Sequence, residues 1–236
     1  MPMYDVQTAL TNIDQHTLPI MICLMLAVFF AFLYFVIAMR MAIKQQVYVV
    51  PFIGSALFFW HDFTFVLNYD KWFHVYNHWW LKMWWFALVG TVAFELLMIY
   101  QVFKYGHKEL MPNLSRQAFG VLVVLGTLGV GGFWALIKYS MGDELFFCTF
   151  AITASFSVPF HTALMCSRKS RAGQSVVMEL ATIVMLWSLS AVALQVAPAF
   201  FSSPYYLSFV VCMTLWPLAN IWLMLKLPET LPLKAA

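Results

Sequence analysis

The sequence predicts an all-α fold, a bundle of seven transmembrane helices forming a single integral-membrane domain over residues 1–236. The first observation behind this is composition: 63% of residues are hydrophobic and only 10% charged, where a soluble domain carries about 25% charge. The mean hydropathy of +0.82 and the 18% aromatic content agree. Lipid is therefore the expected solvent and the bilayer the expected partner, which excludes a soluble enzyme, a disordered regulator and a nucleic-acid binder. The second observation is the recurrence of apolar runs of roughly 20 residues, the length a helix needs to cross a bilayer. The third is that the connections between these runs alternate between basic and acidic.

The spans fall near 18–39, 47–67, 79–103, 117–137, 145–166, 175–197 and 205–225. Span one follows a segment that holds Asp5 and Asp14 but no Lys or Arg, and its apolar run is too long for a signal-peptide core, so it is expected to be retained. Span two contains His61 and Asp62. Span three opens inside an aromatic cluster, with five of the ten tryptophans between Trp72 and Trp85; Trp72, Trp79 and Trp80 read as an interfacial belt. Asp70, His74 and His78 share a four-residue spacing there, but no further ligands complete a metal site, so no metal is expected. In span four, Gly126, Gly129, Gly131 and Gly132 read as close helix packing. Span five carries Thr149, Thr153, Ser157 and His161 along one helix face, which either lines a cavity or bonds a neighbouring helix. Pro159 and Pro217 interrupt spans five and seven, and Asn220 follows the second proline. Cys23, Cys148, Cys166 and Cys212 lie within spans and act as small apolar side chains.

Orientation follows from Lys and Arg, which accumulate in cytoplasmic connections. One side holds Arg40, Lys44, Lys104, Lys108, Arg116, Arg168, Lys169, Arg171, Lys226 and Lys234. The other holds only Lys71, Lys82 and Lys138, together with Asp5, Asp14, Asp70, Asp143 and Glu144. The N-terminus is thus expected outside the cytoplasm and the C-terminus inside.

An ionisable group in hydrocarbon costs several kcal/mol and marks a cavity or proton path. Asp62 with His61, Glu95, His161 and Glu179 are the candidates. By depth, Glu95, His161 and Glu179 are expected in the cytoplasmic half and His61 with Asp62 in the outer half. A buried carboxyl of this kind is either a proton donor or a neutral hydrogen-bonding group between helices. Trp60, Trp84, Trp187 and Trp216 lie deep enough to line a site, where aromatic faces hold cationic species. Span seven has no central lysine, as a retinal protein would need, and neither a histidine cluster for a di-iron centre nor a Gly-rich phosphate loop is present.

Three stretches carry a family resemblance: Phe59-Trp60-His61-Asp62-Phe63 in span two; Glu95, Tyr100 and Lys104-Tyr105-Gly106 in and after span three; and Ser167-Arg168-Lys169-Ser170-Arg171-Ala172-Gly173-Gln174-Ser175 before span six. Together with seven spans, these resemble the integral-membrane terpene cyclases of fungal meroterpenoid and indole-diterpene pathways and their bacterial relatives. The resemblance implies a cofactor-independent isomerase or lyase that protonates a prenyl or epoxidised prenyl chain, an apolar isoprenoid substrate, and guides the carbocation through an aromatic pocket. It implies Asp62 as general acid oriented by His61, with Glu95 as a second acid or base. Trp60, Trp84, His161, Glu179, Trp187, Trp216 and Asn220 would line the substrate site. Two departures stand out: His61 separates Trp60 from its acid, and Asn220 stands where the family carries an acid in span seven.

A second class stays open. Spans one to three and five to seven can be read as parallel repeats around span four, a 3+1+3 arrangement that resembles PQ-loop and SWEET-type carriers, so a small-solute transporter or sensor is the alternative. Arg171-Ala172-Gly173-Gln174-Ser175 is loosely similar to their loops, and Pro19, Pro51, Pro159 and Pro198 fall in the first two spans of each repeat. The Pro-Gln pair itself is absent.

Overall fold

A computed structural model describes residues 3–231; Lys234, counted above on the basic side, lies outside the described residues. The described residues are helical and contain no strand, as lipid requires of any chain that does not close a barrel. Six helical stretches are long and apolar enough to cross a membrane: α2 (Thr17–Gln45), α4 (Trp79–Tyr105), α6 (Arg116–Met141), the collinear pair α7 (Phe147–Phe156) and α8 (Val158–Arg168), α9 (Val176–Val196) and α11 (Pro204–Met224). A shorter apolar helix, α3 (Phe52–Leu67), accounts for the second expected span. The remaining helices are α1 (Val6–Gln15), α5 (His107–Leu110) and α10 (Pro198–Phe201), with a π-helical turn over Lys71–Val75. Large apolar side chains such as Phe29, Phe86, Phe133 and Leu215 cover the outside, which marks an apolar rather than aqueous surrounding.

Local chemistry sets the boundaries. Span two starts five residues later than the hydropathy indicates, because Pro51 caps α3 at φ −55°, ψ 144° and leaves Val47–Val50 as a buried connection. Span five breaks at Ser157, two residues before Pro159, whose ring removes one backbone donor and crowds the preceding turn. Pro217 sits inside α11 without ending it.

Helix α2 runs along α9, α3 along α4, and α9 touches α7 and α11 as well, so α2 and α9 form the spine of the bundle. Helix α6 packs on α3 through two glycines. A side chain at Gly126 would enter Phe52, and one at Gly131 would enter the Trp60 indole, which is fixed by its bond to the Thr127 carbonyl (2.6 Å). Gly129 and Gly132, expected in the same packing, face open space. Gly131→Ala should therefore overpack the α3–α6 seam at a cost of about 1–3 kcal/mol, seen as an earlier unfolding midpoint in detergent, whereas Gly132→Ala should be neutral or stabilising.

The two ends of the bundle are tied differently. At the basic end Arg168 is buried and reaches four acceptors: Nε and Nη2 donate to the Glu109 carboxylate (2.8 and 3.0 Å), Nη1 to the Ala172 carbonyl (2.8 Å) and Nη2 also to the Tyr48 carbonyl (3.0 Å). The Gly173 amide donates to Gln45 Oε1 (2.7 Å) and Gln174 Nε2 to the Val49 carbonyl (3.0 Å). Gly173 adopts φ 79°, a region glycine enters without penalty. At the other end Asp143, counted from the sequence among the acidic residues of that side, is buried and accepts from the Tyr4 hydroxyl (2.5 Å) and the Thr149 amide (2.8 Å). Trp72 and Trp80, expected in an interfacial belt, are 0% and 1% exposed. They are core residues because the aromatic rings of α3, α4 and α7 interlock here, with Phe65 4.7 Å from Trp72 and 5.1 Å from Phe146.

Helix α1 lies across this second end. Trp79 Nε1 donates to Asp14 Oδ1 (2.8 Å) and His78 Nε2 lies 3.2 Å from the same oxygen. The indole bond, ahead of every other influence, holds the Asp14 carboxyl below its ordinary value. A carboxylate depressed in the folded state stabilises it above the unfolded value, and that contribution is lost as pH falls through the folded value. Amide protection factors at the C-terminal turn of α1, corrected for the intrinsic pH dependence of exchange, should accordingly fall below about pH 4. Protection that stays flat through that range would contradict the anchoring role.

Candidate active site

Five helices, α2, α3, α4, α7 and α9, enclose a cavity of about 90 Å³, room for about six to nine water-sized groups. The wall is mostly aliphatic and aromatic, with Phe35, Phe58, Trp84 and Phe150 among its members; Trp84 and Phe150 stack at 4.6 Å. Into this lining project His61 and Asp62 from α3 and Thr91 and Glu95 from α4. Helices α3 and α4 are antiparallel neighbours, and residues 91 and 95, one turn apart, face residue 62.

The hydrogen bonds distinguish the two acids. Asp62 Oδ1 lies 2.6 Å from His61 Nδ1, and Oδ2 accepts from the Thr91 hydroxyl. Both Asp62 oxygens are thus occupied. Glu95, 2% exposed, sits beside Asp62, and its Oε2 has no partner among the described residues. His61 Nε2 is likewise unpartnered, its ring held edgewise by Trp134, Phe146 and Phe150 at 5.1, 5.5 and 4.8 Å. Phe146 reaches that position from φ 66°, a left-handed backbone that bulky residues rarely adopt.

A second polar cluster lies toward the basic end. His161 Nε2 is 3.2 Å from the Tyr34 hydroxyl and Nδ1 3.0 Å from Glu179 Oε1. Asn220 Nδ2 donates to the same Glu179 oxygen (3.2 Å) and to the Val158 carbonyl (3.1 Å), and Asn220 Oδ1 accepts from Thr162 (2.5 Å). Tyr34 and Ser157 line the cavity, so the cluster meets the same space through the tyrosine.

This grouping corrects the depth argument from the sequence, which placed Glu95 with His161 and Glu179. The late start of α3 moves Asp62 toward mid-bundle and level with Glu95. Of the expected aromatic wall, Trp84 lines the cavity. Trp60 is spent on the α3–α6 seam, and Trp187 and Trp216 are 51% and 40% exposed on the outer surface. Tyr34 and Thr91 were missed. Thr91 stands one turn before Glu95, and that spacing was the available signal; nothing local marks Tyr34. On the polar face of span five, Thr153 and Ser157 line the cavity, His161 joins the second cluster and Thr149 binds Asp143. Asp70 and His74 are exposed and 4.0 Å apart, while His78 turns to Asp14. No group of three metal-ligating side chains occurs among the described residues.

Fold and site together define an all-helical, membrane-type bundle with an acid-bearing apolar cavity at its centre. No family model, curated protein or solved structure matches the chain.

Proposed function

We propose that the protein is an integral-membrane terpene cyclase that protonates a prenyl or epoxidised prenyl chain and closes it through a carbocation, without a cofactor. One observation carries the reading: an acid pair, Asp62 and Glu95, stands in a cavity otherwise walled by apolar and aromatic groups. Acid-initiated cyclisation needs a positioned proton, exclusion of water and walls that tolerate a cation.

The hydrogen bonds favour Glu95 over Asp62 as the group that delivers the proton. Both Asp62 oxygens are engaged, by His61 and by Thr91, while Glu95 Oε2 is the free carboxyl oxygen. Two adjacent carboxyls in a dry site share a proton rather than both ionise. That proton passes from Glu95 to the terminal alkene carbon or the epoxide oxygen, and the neighbouring C=C attacks the cation to form the ring bond. His61 orients Asp62. Trp84 and Phe150 offer ring faces to the migrating charge, and His161, Glu179 and Asn220 bound the far side.

The cavity holds the reacting end of such a chain, and the remainder enters from lipid. The half-exposed residues of its wall concentrate on α2 and α4, at Val28, Ala31, Phe32 and Ala87, where Phe32 covers Gly90. In this reading α3 is the seventh span and the N-terminus lies outside the cytoplasm, with the Lys/Arg-rich end inside. Among the described residues α6 contributes nothing to the cavity wall, consistent with a linker helix in a 3+1+3 arrangement, whereas α11 is absent from the wall that its repeat counterpart α4 helps to form.

The test incubates membranes containing the protein with prenylated and epoxyprenylated aromatic substrates and follows products by mass spectrometry. A product of unchanged mass and altered retention is expected. Uptake of a small solute into proteoliposomes without chemical change would replace the enzyme by a PQ-loop or SWEET-like carrier.

A further inference from the structure

We infer that Tyr34, backed by His161 and Glu179, is the base that ends the reaction; the inference rests on the cyclase reading. A cyclisation opened by a proton must close by losing one, and a group other than the donor gives the product a fixed double bond. Tyr34 comes to the cavity from α2, whereas the acid pair comes from α3 and α4. Its hydroxyl is 3.2 Å from His161 Nε2, and the two rings stack at 6.3 Å and 18°. His161 Nδ1 lies 3.0 Å from Glu179 Oε1, and Glu179 Oε2 has no partner among the described residues; in the proposed relay Glu179 is the carboxylate, so that Nδ1–H donates to it and Nε2 accepts from the tyrosine.

In a carboxylate–imidazole–hydroxyl arrangement the imidazole takes the hydroxyl's proton as that oxygen forms a new bond; in the proposed step the new bond is to the substrate's proton. Glu179 stands in the first turn of α9, where the helix N-terminus favours a negative side chain, and the Asn220 amide donates to it (3.2 Å). His161 is 0% exposed and Glu179 1%.

The step balances. A C–H bond next to the cationic carbon breaks, and its electron pair becomes the new C=C. The proton goes to Tyr34 Oη as the tyrosine's own proton moves to His161 Nε2. The result is an alkene, a neutral Tyr34 and an imidazolium paired with Glu179. One proton has left the Asp62/Glu95 pair and one has reached His161, so no oxidant or reductant is required. Tyr34 is the catalytic residue; His161 and Glu179 act through it.

The experiment compares wild type, Tyr34→Phe and Glu179→Gln in full-length protein in nanodiscs, scoring substrate consumption and product distribution separately. Glu179→Gln keeps an acceptor for His161 and for Asn220 while removing the charge, so it tests chemistry rather than packing. Both variants should still consume substrate, but the single alkene of the wild type should give way to double-bond isomers and a water-quenched alcohol. A wild-type product pattern in both folded variants would overturn the inference and leave the cyclase reading standing. A wild type that cyclises none of the substrates would overturn both.

Discussion

Glu95→Gln is expected to slow cyclisation at least about a hundredfold, the usual contribution of a positioned general acid, equivalent to about 2.7 kcal/mol of barrier. The glutamine occupies the same space and retains a carbonyl for neighbouring donors, so the fold should survive. What disappears is the transferable proton at Oε2, the carboxyl oxygen left without a protein partner. Asp62→Asn should also cut the rate, by removing the carboxyl that His61 and Thr91 engage and with it the partner with which Glu95 shares its proton. Thr91→Val should have a smaller effect, since it removes one donor and leaves the acid pair in place. The measurement is initial rate at saturating substrate with protein matched for folded fraction. Full turnover by both Glu95→Gln and Asp62→Asn would remove the acid pair from the mechanism.

The second large effect concerns stability. Arg168→Ala is expected to destabilise the protein by about 2–3 kcal/mol. That is less than the ~3–5 kcal/mol for breaking a fully buried pair, because the Glu109 side chain is 30% exposed and water replaces part of what it loses. The Tyr48 and Ala172 carbonyls, both served by the same guanidinium, gain no such replacement and carry the cost of an unmet acceptor. Lys at this position should not rescue, since a single ammonium cannot address a carboxylate and two carbonyls in the guanidinium's planar geometry. Denaturant titration in micelles reads the effect, and an unshifted midpoint would contradict it.

Arg168 also shows how far the sequence could be read. Its place in a basic stretch between apolar runs made it look like a solvated orientation signal. In the structure, the Ser167–Ser175 segment is a lock that joins three connections through Arg168, Gly173 and Gln174. A resemblance carried by those residues therefore rests partly on architecture rather than on chemistry. Hydropathy found every long helix because a lipid-facing surface must be apolar whatever its neighbours are. It found α3 too long, because the buried Val47–Val50 connection is as apolar as a span, and it overlooked α1, whose buried Ala9, Leu10 and Ile13 form one face of a short amphipathic helix.

The candidate site was legible as a set of residues and not as an arrangement. Asp62, Glu95, His161 and Glu179 stood out because a charge inside a span demands a reason. Which acid faced which depended on where α3 begins and on the register of α3 against α4, and hydropathy fixes neither to within a turn. Tryptophans were harder still: Trp84 and Trp187 both lie within spans, yet one lines the cavity and the other faces outward. A helix hydrophobic on all sides has no amphipathic pattern to tell those faces apart.

In the proposed function this cavity adds a proton to an isoprenoid and rearranges it. The most direct test is to incubate purified protein in nanodiscs with an alkene-terminated prenyl substrate in D2O and to analyse the product by mass spectrometry and NMR. The account predicts a cyclic isomer one mass unit heavier than in H2O, with a single deuterium on carbon at the initiating end and none in Glu95→Gln. A cyclic product without carbon-bound deuterium, or no conversion of either alkene- or epoxide-terminated chains, would contradict it.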